Sequence, residues 1–213
     1  MPSIFSEIVT PDISLNVWRI DEKTEDLRAK VILDIEEENY FNSFGNENRK
    51  KQWLGYRILL KHLLKTNSVK IRYDEYGKPF IPGSPCNFSV SHSGDYAAAI
   101  ISTQAKVGID IEKIGARIER VKERFLSEEE LENIGNDQRL EKLHLCWGAK
   151  ESLYKLYGKP NIDFKTDIAL EQFDYLCIGR GIFHARMNLP EGAGSYTLRY
   201  QKIEEYMLVY AFK

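Results

Sequence analysis

Three short segments in the middle of the chain carry side chains that could act together in catalysis. They are, in chain order, residues 88–92 (FSVSH), 107–112 (VGIDIE) and 147–155 (WGAKESLYK). Side chains alternate on a strand, so Asp110 and Glu112 are expected on one face, with apolar residues on the other. Glu151 and Lys155 are four residues apart and share one face of a predicted helix. Together with His92, these groups indicate a divalent metal that holds a phosphorylated ligand.

Each of these signals also has an ordinary structural interpretation. A half-exposed strand often carries charges such as Asp110 and Glu112, and a lone histidine such as His92 is often a turn or core residue. Glu151 and Lys155 could form a surface salt bridge worth a few tenths of a kcal/mol. Trp147 and Tyr154 nevertheless place Glu151 beside a packed aromatic face, where a carboxylate needs a partner. Gly108, on the carboxylate face, would leave room for a ligand.

Other candidate residues lie outside these three elements. Lys78 stands beside Pro79 in a turn-rich loop, where it could be solvated or contact a ligand. Basic residues on the helix predicted for 47–65, Arg49 and Lys51 among them, could be a solvated face or contact phosphate. Ser89 and Ser91 offer hydroxyl donors near His92. Ser127 and Glu130 match a capping box, which explains them fully, although a catalytic role for Glu130 stays open. We expect Cys146 to be a buried helix residue.

The composition restricts the class of protein. The 213 residues, 43% of them hydrophobic, suffice for a substantial core, and the net charge of -2 gives no footprint for nucleic acid or a membrane surface. Cys86, Cys146 and Cys177 are widely spaced, which argues against a disulfide framework or a zinc site and favours the cytoplasm. The N-terminus has no export signal, no apolar window could span a membrane, and there is no P-loop or Rossmann glycine pattern.

The surrounding pattern predicts an α+β protein. We expect strands at 13–20, 69–73, 88–92, 96–103 and 107–112, and antiparallel sheet in the tail at 181–187, 196–203 and 206–212. Helices are predicted within 26–44 and at 47–65, 117–125 and 140–157, with a further helix starting after Ser127. A polar break at 104–106 suggests a boundary between an N-terminal subdomain, residues 1–104, and a C-terminal one, residues 105–213.

In this order and at this spacing, FSVSHSG at 88–94, VGIDIE at 107–112 and WGAKESLYK at 147–155 resemble the three motifs of the Sfp-type 4'-phosphopantetheinyl transferases. The resemblance extends upstream through YGKP at 76–79. It implies transfer of the phosphopantetheine arm of coenzyme A to a serine of an apo acyl, peptidyl or aryl carrier protein, with release of adenosine 3',5'-bisphosphate. It also implies a pseudo-twofold monomer of two similar subdomains, each a small antiparallel sheet with packed helices, with coenzyme A between them.

The resemblance also implies roles for individual residues. Asp110, Glu112 and Glu151 would be Mg²⁺ ligands, while His92 and Lys155 would hold phosphate oxygens. The residues that would contact coenzyme A are Lys78, Pro79 and Ser91, with a looser match for Arg49 and Lys51. Either Glu151, through a water, or Glu130 would take the proton from the attacking serine. Gly148 departs from the family, where a small polar residue is more usual.

Two other functions fit the same residues less fully. A binding protein for a carrier or a nucleotide would not need all three acids together with His92 and Lys155. A metal-dependent phosphodiester hydrolase would use the metal without a carrier. The sequence does not choose which carrier is modified.

Overall fold

The computed structural model describes residues 3–176 and 178–213, which form two compact units, one up to Lys106 and one from Val107 onward. Each unit combines antiparallel sheet with packed helices, so the predicted α+β class is confirmed and the two halves are alike in composition. Cys177 lies outside the described residues.

The N-terminal unit is built on a four-stranded antiparallel sheet in the order β1-β2-β6-β5. Its long helix, α3, packs against β6 and β2, and an apolar core that includes Trp18, Trp53 and Leu59 lies between them. The elements are β1 (Ser3–Thr10), β2 (Ile13–Arg19), α1 (Thr24–Arg28), α2 (Ile35–Asn42), α3 (Glu47–Leu63), β3 (Arg72–Tyr73), β4 (Pro79–Phe80), β5 (Asn87–Ser93) and β6 (Tyr96–Ser102).

The C-terminal unit has a five-stranded antiparallel sheet in the order β7-β11-β10-β9-β8. Its long helix, α5, packs against β7 and β11, and Gly158 ends this helix in the left-handed conformation. The elements are β7 (Val107–Lys113), α4 (Glu128–Ile134), α5 (Arg139–Tyr157), β8 (Ile168–Leu170), β9 (Arg180–Leu189), β10 (Gly192–Ile203) and β11 (Tyr206–Phe212).

Most predicted elements are present, and the exceptions have physical reasons. The helix predicted for 117–125 is instead two short 3₁₀ segments, Ala116–Arg120 and Lys122–Arg124. Their amides bond three residues back, from Val121 to Ile118 and from Arg124 to Val121. A spacing of three suits a 3₁₀ turn as well as an α-helix, so the pattern could not separate them. The strand predicted for 69–73 shrinks to Arg72–Tyr73, and strand β1 was not predicted.

Candidate active site

Strand β7 and helix α5 bring the predicted acidic and basic residues of the C-terminal unit together. Asp110 is 3% exposed, and its Oδ1 accepts a hydrogen bond of 2.7 Å from Nζ of Lys155. The same ammonium donates to the backbone oxygen of Ile109 at 3.1 Å. Oδ2 of Asp110 is also buried and accepts no hydrogen bond from the described residues. Lys155 therefore forms its ion pair with Asp110 across two elements, and not with Glu151 along the helix.

The carboxylate face of β7 packs against α5, which corrects our interpretation of Gly108. A Cβ at this position would lie 1.9 Å from the backbone oxygen of Ser152 and 2.9 Å from the amide of Leu156. The glycine thus lets the helix backbone approach the strand, and its space is taken by the helix and not by a ligand. This close approach is what puts Asp110 within reach of Lys155.

Glu151 is half-buried on α5, and its pKa is unusually high. Burial and then the negative charge of Asp110 raise its pKa to about 7, Glu112 adds to the rise, and Lys155 opposes it. The charges of Asp110 and Glu112 act on Glu151 only because these carboxylates are close to it. A group with this pKa is near half protonation at neutral pH, unless a cation lies beside it.

The chemistry of these three acids fits a divalent cation, although their side chains are not arranged as a finished metal site. No group of three or more His, Cys, Asp or Glu side chains among the described residues converges in the manner of metal ligands. A bound cation would nevertheless offset the burial and the like charges that raise the pKa of Glu151, and hard cations take carboxylate oxygens as ligands. The carboxylates of Asp110, Glu112 and Glu151 are therefore ligands of the type that Mg²⁺ prefers.

A buried ion pair fixes the start of α4 to the middle of α5. Lys150 is fully buried, and its Nζ donates to Oε2 of Glu130 at 2.8 Å and to the backbone oxygens of Phe164 and Ile168. Oε2 of Glu130 also accepts from the amide of Ser127, and Oε1 accepts from that of Leu170. The predicted capping box is confirmed, and both oxygens of Glu130 are engaged. The sequence did not indicate the contribution of Lys150, because its partners are distant along the chain.

We predict that Lys150→Met lowers the free energy of unfolding by about 3 kcal/mol, because it leaves the buried carboxylate of Glu130 without its cation. Urea unfolding followed by circular dichroism measures this change. The matched control is Lys113→Met, since Lys113 pairs with Glu205 on an exposed part of the same unit and should cost little. Equal, small effects of both substitutions would contradict this structural role of Lys150.

The aromatic face predicted beside Glu151 is present. The ring of Trp147 lies 5.1 Å from that of Phe125 and 5.8 Å from that of Phe164, and Tyr154 packs on Phe164 at 5.9 Å. Cys146, as predicted, is a buried helix residue, and burial raises the pKa of its thiol to about 12. A thiol of this kind is not a nucleophile.

In the N-terminal unit, α3 brings Arg49 to His92 at the end of β5. Nη1 of Arg49 and Nε2 of His92 are 2.7 Å apart. A guanidinium only donates hydrogen bonds, so Nε2 is the acceptor and a neutral His92 carries its proton on Nδ1. This contact spans 43 residues of sequence, and the sequence alone gave no sign of it.

The remaining candidates of the N-terminal unit lie in the loop before β4, on its strands and on α3. Lys78 follows the turn between β3 and β4, and burial, followed by the positive charge of Lys106, lowers its pKa. Pro79 is the first residue of β4, Ser91 is buried in β5, and Lys51 is half-buried on α3. An anionic ligand beside Lys78 would offset the cost of burying its ammonium group.

Within the described parts of the chain, no helix has the length and apolar character needed to cross a membrane.

Comparisons with known proteins match a region that includes two of the three segments, 107–112 and 147–155. The model of the 4'-phosphopantetheinyl transferase superfamily matches residues 106–210. The chain is 37% identical over 119 residues to 4'-phosphopantetheinyl transferase AcpT of Escherichia coli (strain K12), covering 52% of this chain and 59% of that protein. It is 32% identical over 145 residues to a 4'-phosphopantetheinyl transferase of Bacillus subtilis, covering 66% and 61%. It is also 32% identical over 106 residues to 4'-phosphopantetheinyl transferase Sfp of Bacillus subtilis (strain 168), covering 48% and 47%. The matched segments thus span about half to three-fifths of these relatives.

Proposed function

The chain belongs to the 4'-phosphopantetheinyl transferase superfamily, and from this premise we propose that it transfers the 4'-phosphopantetheine group of coenzyme A to a serine hydroxyl of an apo acyl or peptidyl carrier protein. The products are the holo-carrier and adenosine 3',5'-bisphosphate. The relatives are named for this transfer, which supports the reaction class.

The packing of strand β7 against helix α5 is the observation that supports this proposal most strongly. Asp110 is 3% exposed and pairs with Lys155, and Glu151 lies one turn before Lys155 on the same helix. Burial and the charges of Asp110 and Glu112 raise the pKa of Glu151, as expected where carboxylates lie near one another. A structural ion pair would not need three like charges together, whereas a site for a divalent cation would. In our proposal Asp110, Glu112 and Glu151 hold Mg²⁺, which supplies positive charge to the diphosphate of coenzyme A when bound.

Other residues of the chain are proposed to bind the phosphates of coenzyme A. Lys155, fixed by Asp110 and the Ile109 oxygen, presents its ammonium to phosphate and stabilises the charge that develops on the leaving bisphosphate. His92 holds a phosphate oxygen by the proton on Nδ1, with Arg49 fixing the ring through Nε2. Further contacts to coenzyme A are proposed for Lys78, Pro79, Ser91 and, for its 3'-phosphate, Arg49 and Lys51.

The proton of the attacking serine needs an acceptor, and Glu151 suits this task better than Glu130. Burial raises the pKa of Glu151, which makes its carboxylate a better proton acceptor than an ordinary glutamate. Glu130 instead accepts hydrogen bonds from Lys150 and from two backbone amides. We therefore propose that Glu151 receives the proton, directly or through a water, and that Glu130 supports the helix that carries it.

Product analysis tests the reaction. The protein is incubated with coenzyme A, Mg²⁺ and an apo carrier, and both the carrier mass and the release of adenosine 3',5'-bisphosphate are measured. We expect the carrier to gain one phosphopantetheine arm for each bisphosphate released. Bisphosphate without a modified carrier would instead show a hydrolase, and neither product, with coenzyme A bound, would show a binding protein. Carrier proteins fall into several classes, so the assay is repeated with an acyl, a peptidyl and an aryl carrier.

We predict that Arg49→Gln raises KM for coenzyme A about tenfold with little change in kcat, because a charge-assisted hydrogen bond to the ligand or to His92 is lost. The matched control is Lys61→Gln, which removes one positive charge from the same helix at a residue with no proposed role. An unchanged KM would contradict a role for Arg49 in binding. If Arg49 acts through His92, its effect should vanish in a His92→Ala background.

We further propose that the protein acts as a monomer in the cytoplasm. Cys86 and Cys146, the two described cysteines, are free thiols, as a reducing compartment keeps them.

A further inference from the structure

Helix α5 lies close to the sheet of the C-terminal unit because the residues at the contact are small. Gly108 of β7 leaves the space that the backbone oxygen of Ser152 takes. Gly148, one helical turn before Ser152, leaves space in the same way, since a Cβ there would lie 2.8 Å from Cγ2 of Val209 in β11. Apolar packing is non-directional, so it holds such surfaces together without fixing how far the helix slides along the strands.

Ser152 supplies a directional contact at this interface. Its side chain is fully buried, and Oγ donates a hydrogen bond of 2.9 Å to the backbone oxygen of Val209. A serine inside a helix often bonds to a carbonyl of its own preceding turn, whereas this one reaches a strand 57 residues away in sequence. Because a hydrogen bond weakens steeply when its geometry is distorted, this bond restricts the movement of α5 both along and around its axis.

The hydrogen bond lies among the residues of the candidate active site. Val209 is directly opposite Asp110 in the ladder of β7 and β11. Ser152 follows Glu151 and precedes Lys155 by three residues, so all three belong to about one and a half turns of α5. The bond therefore connects the helix turn that carries the proposed acid and cation to the strand position paired with Asp110.

The contacts of Lys155 show why the position of α5 matters. Its Nζ donates to Oδ1 of Asp110 at 2.7 Å and to the backbone oxygen of Ile109 at 3.1 Å. Both bonds cross the same contact between helix and strand, so a small shift of α5 would lengthen or bend them. Phosphoryl transfer depends on positioning and on charge placed in advance, and a misplacement of about 1 Å costs a factor of about 100 in rate.

We propose that Ser152 is a positioning residue, whose hydroxyl holds α5 where Lys155 and Glu151 meet the diphosphate of coenzyme A. This inference rests on the proposed transferase function. The buried hydroxyl of Ser152 is directed to β11, so it acts through the placement of its two neighbours and not by contact with the substrate. Its loss should therefore slow the chemical step more than it weakens binding of coenzyme A.

Steady-state kinetics of Ser152→Ala test this role. Alanine removes only the hydroxyl and is the better helix former, so the variant should stay folded, which circular dichroism checks. We expect kcat to fall about tenfold while KM for coenzyme A stays within about twofold. The control is Ser102→Ala, which removes a buried hydroxyl that donates to Asp12 at the end of the β5–β6 ladder away from His92. This variant should keep kcat within about twofold, because it shares no partner with the site.

A second measurement does not depend on transfer. The coupling energy between Asp110 and Lys155 is obtained from a double-mutant cycle of Asp110→Asn and Lys155→Met, using urea unfolding in the presence of a chelator. In a Ser152→Ala background we expect this coupling to fall by at least about half, because the ammonium is no longer aligned with the carboxylate.

An unchanged coupling, or wild-type kcat in a folded Ser152→Ala protein, would each overturn the positioning role. The two proposals fail separately. If the wild-type protein transfers no phosphopantetheine, the proposed function is wrong, and the coupling energy still decides whether Ser152 positions Lys155.

Discussion

Asp110→Asn is expected to lower the rate of phosphopantetheine transfer by about 10³-fold, because it removes a charged oxygen proposed to hold the metal and the anchor of Lys155 in a single change. The substitution keeps the size of the side chain, which is 3% exposed and packed below α5. Steady-state kinetics with a saturating apo carrier measure the loss.

The matched control for this change is Glu205→Gln, which removes one negative charge from an exposed ion pair with Lys113 at the end of the same strand. We expect it to leave the rate within about twofold, since exposed pairs contribute little. A folded Asp110→Asn protein with wild-type turnover would contradict the proposed role of Asp110.

Glu151→Gln is expected to have a similar effect on transfer, about 10³-fold, because the same carboxylate is proposed both to bind metal and to accept the proton of the serine. The rate of the wild-type protein should fall at acid pH, where Glu151 gains a proton, with a midpoint below about 7 because a bound cation lowers the pKa of a carboxylate ligand. A residual rate in Glu151→Gln that keeps the same pH profile would contradict the role of this residue as the base.

The raised pKa of Glu151 should also make the unfolding free energy of the metal-free protein depend on pH. Its pKa is raised from 4.5 to about 7, so the folded state binds more protons than the unfolded state between these values. The stabilisation is complete below about pH 4.5 and is lost as the pH rises through 7. Compared with Glu151→Gln in the presence of a chelator, the wild-type protein should lose up to about 3 kcal/mol of unfolding free energy between pH 4.5 and 8. Parallel pH profiles of the two proteins would show that the pKa of Glu151 is not raised.

Sequence patterns predicted the elements with strong periodicity. Helix α3, helix α5 and the hairpin of β5 and β6 have apolar residues at regular spacing, and the structure confirms them. Strand β1 was missed because none of its residues is buried and its register with β2 shifts twice, so it carries no clean alternation.

The composition of the candidate site was predicted better than its contacts. The spacing of Glu151 and Lys155 suggested a pair along one helix, whereas Lys155 reaches across to Asp110. Gly108 was interpreted as room for a ligand, and the helix backbone fills that room. Neither contact can be read from local spacing, because both depend on how closely α5 packs on β7. The same is true of Arg49 with His92, which are joined only by the packing of α3 near β5.

The most direct test of the proposed metal site is the affinity for a divalent cation, measured by calorimetry with Mn²⁺ in the presence of coenzyme A. We predict that Asp110→Asn, Glu112→Gln and Glu151→Gln each weaken binding by at least about tenfold, and that Glu205→Gln leaves it unchanged. Wild-type affinity in all three folded variants would show that these carboxylates do not hold the metal.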